Sequence, residues 1–191
     1  MNMGNDVIQS DETKNFINAE NGVQVAHADS FAPVINIYMQ GNAASVTDFS
    51  SNYYNLLIGF NPLEEKHVSV DRKRALTEYM APEVSEKFCG WSDETIDKIK
   101  RLPAIVIEER DKNAIDNQQG VIATIKKIQL RQFDIVITFQ IIAPITMRFI
   151  QDNMMDLGLE HEWELNRTHW AIKNINLMEV LADAEISIEN K

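Results

Sequence analysis

Three acidic residues close together after an apolar segment are the side chains with the clearest potential for chemistry. Glu108, Glu109 and Asp111 follow a short apolar run that is typical of a strand, and Lys112 comes next. Carboxylate oxygens bind divalent cations, and acids grouped with a lysine are a feature of metal-dependent nucleases. Such nucleases need an earlier acidic residue beside a lysine on a strand, and the chain offers no clear candidate. A metal-dependent hydrolase or nuclease is therefore an alternative hypothesis, and a polar loop rim is the structural interpretation.

A second group of reactive side chain types lies between two strand-like segments near the C-terminus. Arg167, His169 and Trp170 place a guanidinium, an imidazole and an indole within four residues. The indole could stack on a ligand ring while the two cationic groups bind a phosphate or carboxylate. We therefore predict these three residues as ligand-binding. The structural alternative is that Trp170 belongs to the core and that Arg167 pairs with Glu162 or Glu164.

Alternating glutamates precede that group. Glu160, Glu162 and Glu164 share one face of a predicted strand, whereas His161 points to the other face. A transition-metal site normally combines imidazole and carboxylate in one coordination shell, so this pattern favours a solvated strand face. The chain also lacks a glycine-rich phosphate loop, a nucleophile elbow and an HExxH pattern. We therefore predict no catalytic residue, no resident metal and no cofactor.

Composition limits the class of protein. The 191 residues are 45% hydrophobic and 25% charged, with a net charge of −11, which suits one globular domain with an extension. The negative charge argues against nucleic acid as a partner. No apolar run approaches the ~20 residues of a membrane-spanning helix. Cys89 is the single cysteine, so no internal disulfide can form. The N-terminus lacks the pattern of a signal peptide, which predicts a cytoplasmic protein without membrane contact.

Composition and hydrophobic periodicity divide the chain into four parts. Residues 1–30 are polar and acidic and are predicted to be a flexible tail. Residues 31–60 form a strand-containing segment, residues 62–102 a helical region, and residues 103–186 an α+β sheet domain.

The strand predicted in the second part carries Ile35, Ile37 and Met39 on one face, between polar stretches. An apolar strand of this kind tends to pair with a partner edge. We therefore predict that these three residues mediate self-association.

Capping residues predict three helices in the helical region. Asp71 begins a helix through Tyr79, Pro82 begins a second that Gly90 ends, and Ser92 caps a third. Ser and Asp side chains accept hydrogen bonds from the free N–H groups of a first turn, and Pro suits the first helical position.

The sheet domain shows alternating strands and amphipathic helices. Strands are predicted at 104–109, 121–130, 133–142, 161–165 and 169–173, a helix begins at Pro144, and Asn176 caps a closing helix. Short connections between adjacent strands favour an antiparallel sheet in an α+β fold. The order of elements resembles a small, bent SH3-like barrel with a helix inserted before the last hairpin.

Residues 102–182 resemble a module of uncharacterised bacterial proteins that are associated with phage defence. The likeness rests on Leu-Pro-Ala-Ile-Val at 102–106 and mainly on Arg-Thr-His-Trp-Ala-Ile-Lys at 167–173. Some of those proteins carry an effector domain of the Toll/interleukin-receptor type, and residues 36–42 resemble linker motifs near such effectors. The resemblance implies a bacterial source and a link to phage defence, and it assigns no site residue.

These observations favour a non-enzymatic binding or adaptor protein whose partner is another protein or a second copy of the chain. A small ligand is an alternative partner. A third hypothesis is a phage- or plasmid-encoded inhibitor whose acidic surface occupies a basic site on a host protein.

Overall fold

The computed structural model describes residues 52–186. Within that range the chain forms six strands, four α-helices and two 3₁₀ turns. In chain order they are β1 (Tyr54–Ile58), β2 (His67–Asp71), a 3₁₀ turn (Arg72–Arg74), α1 (Pro82–Phe88), α2 (Asp93–Lys100), β3 (Pro103–Ile107), β4 (Gln119–Leu130), β5 (Asp134–Thr146), α3 (Met147–Asp152), a second 3₁₀ turn (Glu162–Asn166), β6 (His169–Lys173) and α4 (Leu177–Asp183). The α+β class is confirmed.

The six strands form one curled, mixed sheet in the order β2-β5-β4-β3-β1-β6. All neighbours are antiparallel except β1 and β3, which run parallel. The prediction of an antiparallel sheet was therefore incomplete, since it lacked β1 and β2. The sheet is a half-barrel, and an SH3-like barrel is not confirmed.

One short segment links the two ends of the sheet. Residues 75–80, which we call the strap, follow β2 but lie against β6 at the opposite end. Ala75 forms a parallel bridge with Trp170, and the Leu76 N–H donates to the Trp170 carbonyl over 2.8 Å. The strap therefore covers the backbone edge of β6, which would otherwise be open to another strand.

The backbone of the strap is unusual. Leu76 and Tyr79 have φ angles of 58° and 55°, in the left-handed region that side chains with a Cβ disfavour. The sequence predicted a helix from Asp71 to Tyr79, and this prediction was wrong. The Asp71 side chain does cap a turn, but only the three residues of the first 3₁₀ turn follow it.

Helices cover both faces of the sheet. The first core packs α1 and α2 on one face through Val84, Phe88 and Ile99. The second core packs α3 and α4 on the other face, with Ile150 and Leu177 among its residues. Because β1 is flanked by strands and covered on both faces, all five of its residues are buried. This explains why its sequence lacks polar alternation.

Three predicted helix starts are confirmed. Ser92 accepts from the Thr95 N–H, and Asn176 accepts from the Glu179 N–H. Pro82 is the first residue of α1. Two other predictions were wrong: Pro144 lies within β5, and residues 162–166 form a 3₁₀ turn in place of a strand. Among the described strands, β2 pairs only with Asp134–Thr138 of β5, so Pro144 lies beyond that pairing.

The strand prediction for 133–142 is confirmed in type, although the strand is longer. Ile135, Ile137 and Phe139 face the first core as the alternation predicts, whereas Phe133 is 76% exposed at the hairpin tip. None of the helices in residues 52–186 is long and apolar enough to span a bilayer. The predicted assembly residues Ile35, Ile37 and Met39, and the predicted tail at 1–30, lie outside the described residues.

Candidate functional site

A pocket lies where the two parallel strands of the sheet end. Gly59 follows β1 and Glu108 follows β3, and parallel strands bring their carboxyl ends to the same edge. The pocket has a volume of about 470 Å³ and is open to solvent. Its lining comprises Gly59, Glu108, Glu109, Asp111, Ala114, Asn117 and Gln118. The three acids that the sequence indicated are therefore brought to one site.

One wall of the pocket is fixed to the segment before β6. The Glu109 Oε1 accepts hydrogen bonds from the Thr168 N–H at 2.7 Å and from the Thr168 hydroxyl at 2.5 Å. Gly59 lies against the same threonine, with a φ of 93°, and a Cβ at this position would overlap the hydroxyl. Only glycine therefore allows this approach between the two chain segments.

Gln118 fixes the opposite wall. Its side chain amide donates to the Glu109 carbonyl at 2.6 Å and accepts from the Asp111 N–H at 3.0 Å. The Asp111 carboxylate in turn accepts from the Asn113 N–H at 2.9 Å. Glu108 is exposed, and no hydrogen bond partner for its carboxylate is found within residues 52–186. The pocket is thus a hydrogen-bonded frame that presents carboxylates to solvent.

The chemistry of this pocket is that of a negatively charged acceptor site. Glu109 already receives two hydrogen bonds through one oxygen, so its role in the fold is structural. Residues 52–186 contain no group of three or more His, Cys, Asp or Glu side chains arranged to hold a metal ion. Glu108 and Asp111 retain acceptor capacity for a donor that enters from solvent.

The predicted ligand-binding residue Arg167 lies on the surface and is engaged by the strap. Its Nε and a terminal nitrogen lie 2.5 and 2.7 Å from the two carboxylate oxygens of Glu78. The hydrogen bonds from Arg167 lower the pKa of Glu78, against a smaller opposing effect of burial. Glu78 in turn raises the pKa of Arg167. The sequence named Glu162 or Glu164 as the partner, and this was wrong because the strap was not foreseen.

The other two predicted ligand-binding residues point to opposite faces of β6 and are fully buried. The Trp170 indole N–H donates to the Asn55 side chain at 3.0 Å. The His169 Nδ1 lies 2.7 Å from the Arg167 carbonyl, and its ring lies 4.7 Å from the Tyr79 ring. The structure therefore does not bring the three side chains to one surface, and their role in ligand binding stays a prediction.

A buried group of ionisable side chains lies beneath the strap. The Lys173 Nζ is 2.6 Å from the Glu164 Oε1 and donates to the Tyr79 carbonyl at 2.8 Å. The His169 Nε2 is 3.5 Å from the same glutamate oxygen, which is too long for a good hydrogen bond. Neither Glu164 Oε1 nor His169 Nε2 has a hydrogen bond partner of good geometry. The contact with Lys173 is therefore an ion pair whose angles are poor for hydrogen bonding.

Tyr54 is the neighbouring buried acid. Its hydroxyl donates to the Leu157 carbonyl at 2.7 Å. Burial raises the pKa of Tyr54 well above its ordinary value, and the negative charge of Glu164 raises this pKa further. A phenol in this position stays neutral at all ordinary pH values.

The sequence interpretation missed this buried group because it placed Glu164 on a solvated face with Glu160 and Glu162. The 3₁₀ turn breaks the alternation, so Glu164 turns inward while the other two stay exposed. One signal was available: His169 and Lys173 lie four residues apart on a strand and therefore share a face.

No protein-family model matches the chain, and neither curated proteins nor solved structures show a match to it.

Proposed function

We propose that the chain is a non-enzymatic binding protein that holds a positively charged ligand in the pocket at the ends of β1 and β3. The observation that supports this proposal is the pocket whose lining includes Glu108, Glu109 and Asp111. Its volume of about 470 Å³ is in the range of small-molecule sites.

The contacts of Glu109 and Asp111 favour binding over catalysis for these two acids, and Glu108 is the one of the three whose carboxylate has no hydrogen bond partner within residues 52–186. General acid–base catalysis needs a carboxyl that is free to exchange a proton with the substrate. Glu109 is held by Thr168, and Asp111 accepts a backbone N–H. A ligand with ammonium or guanidinium groups would instead donate charge-assisted hydrogen bonds to Glu108 and to the remaining oxygen of Asp111. Asn117, which also lines the pocket, adds a neutral polar group.

Calorimetric titration with spermidine and with agmatine tests the proposal, because these probes carry an ammonium chain and a guanidinium. The double variant Glu108→Gln, Asp111→Asn keeps the shape of the pocket and removes both charges. We expect it to weaken binding by about tenfold or more, since each charge-assisted hydrogen bond contributes roughly 1.5–3 kcal/mol.

Glu160→Gln is the matched control, because it removes an exposed acid that lies outside the pocket lining. It should change the affinity less than twofold. Wild-type protein that binds neither probe, or a control that weakens binding as much as the double variant, would contradict the proposal.

A metal-dependent hydrolase is the second candidate, and it is favoured by one observation: the three acids named from sequence share the pocket. In that case Mg²⁺, Mn²⁺ or Ca²⁺ would raise the melting temperature while the amines would not. Changing Glu108 and Glu109 together to Gln would then abolish turnover. Since Glu109 also holds Thr168, the single change Glu108→Gln separates loss of activity from loss of structure.

The assembly role of Ile35, Ile37 and Met39 remains part of the proposal. Light scattering on the full chain and on a chain lacking residues 1–50 measures it, and an equal monomeric mass in both would contradict it. A bacterial role linked to phage defence is a further hypothesis that rests on the resemblance of residues 102–182 alone.

A further inference from the structure

The connection between α3 and β6 differs in composition from the rest of the body. From position 149 to position 166 the sequence contains no lysine and no arginine. The same stretch carries Met155 and Trp163, which are 81% and 64% exposed. Large apolar side chains at this level of exposure lose the benefit of burial, and tryptophan is enriched at protein interfaces.

This connection is fixed in place by the core beneath it. Leu157, Leu159 and Leu165 are buried in the second core. The Leu159 N–H donates to the Met154 carbonyl at 2.8 Å, and the Gly158 N–H donates to the Met155 carbonyl at 3.0 Å. Met155 and Trp163 are thus presented outward by an anchored segment.

Exposed acids lie close in sequence to the two exposed apolar side chains. The exposed acids of the connection and of the end of α3 are Asp152, Asp156, Glu160 and Glu162. Only Glu162 has an ion-pair partner among residues 52–186, and the guanidinium of Arg110 lies 3.5 Å from it. The segment therefore combines two exposed apolar side chains with three acids that have no ion-pair partner among residues 52–186.

We propose that this surface, the acidic–apolar surface of residues 152–163, docks a basic amphipathic segment of a partner protein. The apolar side chains of such a segment would cover Met155 and Trp163. Its lysines or arginines would face the acids, because complementary charge at the rim of an apolar contact steers association and selects the partner. The surface shares no residue with the pocket lining, so the inference does not rest on the cationic ligand of the pocket.

A fluorescently labelled helical peptide with leucines on one face and lysines on the other is the probe, and its anisotropy reports binding. Two control peptides carry alanines for the leucines or glutamates for the lysines. The test variant is the double change Trp163→Ala, Met155→Ala. The matched control variant is Phe133→Ala. Phe133 is also an exposed large apolar residue, at 76%, but it lies on the β4–β5 hairpin beside Arg131.

We expect the wild-type protein to bind the leucine–lysine peptide, to bind it less tightly as salt increases, and to bind neither control peptide comparably. The Trp163→Ala, Met155→Ala variant should bind at least tenfold more weakly, and Phe133→Ala within twofold of wild type. Equal affinity for the alanine–lysine peptide would overturn the inference, because charge alone would then explain binding. So would equal weakening by Phe133→Ala. Self-association that Trp163→Ala abolishes would identify a second copy as the occupant and would also overturn it.

Discussion

Breaking the buried ion pair between Lys173 and Glu164 should strongly destabilise the protein. Both side chains are nearly inaccessible to solvent, and their charged atoms are 2.6 Å apart. In Lys173→Met the carboxylate stays buried and keeps only a 3.5 Å contact with His169. Removing one partner of a buried pair costs about 3–5 kcal/mol. The lost hydrogen bond to the Tyr79 carbonyl adds about 1 kcal/mol.

Replacing both partners should lower the free energy of unfolding much less than the two single replacements would if their effects were added. In Glu164→Leu, Lys173→Met no unpaired charge is buried, and the main remaining loss is the donor to the Tyr79 carbonyl, about 1–2 kcal/mol. The two single changes and the double change form a thermodynamic cycle with a coupling energy of about 3 kcal/mol or more.

Urea unfolding at pH 7, followed by tryptophan fluorescence, to which the buried Trp170 contributes, gives the free energies of the cycle. For a chain of this length each kcal/mol lowers the melting temperature by about 2–4 °C, so a cost of about 4–6 kcal/mol for Lys173→Met should lower it by roughly 8–24 °C. If Lys173→Met does not fold, recovery of the folded state on adding Glu164→Leu is the expected result. A single change that costs less than about 1 kcal/mol, or a double change equal to the sum of the singles, would refute the reasoning.

Three further predictions concern pH and backbone. Because the pKa of Tyr54 is raised in the folded state, stability should fall above about pH 10, by up to ~1.4 kcal/mol per pH unit, and Tyr54→Phe should remove that part of the fall in alkaline urea titrations. Because the pKa of Glu78 is lowered by Arg167, its contribution is present above about pH 4.3 and is lost as pH falls below that value. Glu78→Gln should therefore flatten the acid limb of a thermal denaturation series while costing only about 1 kcal/mol at pH 7. Gly59→Ala should cost about 2–5 kcal/mol in urea unfolding, since its Cβ meets Thr168 at a positive φ, and a cost below about 0.5 kcal/mol would contradict this.

The sequence predicted well those elements whose signals are local. The Ser92 and Asn176 caps and the alternation of Ile135 and Ile137 all depend on residues within a few positions of one another. The same signals could not show β1, because a strand covered on both faces has no alternation, and Tyr54–Ile58 is a short apolar run. They also could not exclude a helix after Asp71, since the strap takes its shape from contacts with β6.

The residues of the candidate site also divide into those with a local sequence signal and those without one. Glu108, Glu109 and Asp111 were identified because they are adjacent in sequence and follow a strand. Their pocket partners come from distant positions that no spacing rule connects, such as Gly59 and the Thr168 that holds Glu109. Predicting the buried pair of Glu164 and Lys173 required knowing that a 3₁₀ turn, and not a strand, precedes β6.

The position of β6 in the sheet has a consequence for synthesis on the ribosome. β1 is made well before its antiparallel neighbour, residues 169–173, since Asn55 and Trp170, which share a hydrogen bond, are 115 positions apart. The strap must also wait for β6, because Tyr79 and Lys173, which share a hydrogen bond, are 94 positions apart. In a nascent or truncated chain that ends before β6, one edge of the buried strand β1 has no strand to pair with. Such chains should be the species that chaperones retain and that aggregate when chaperones are limiting.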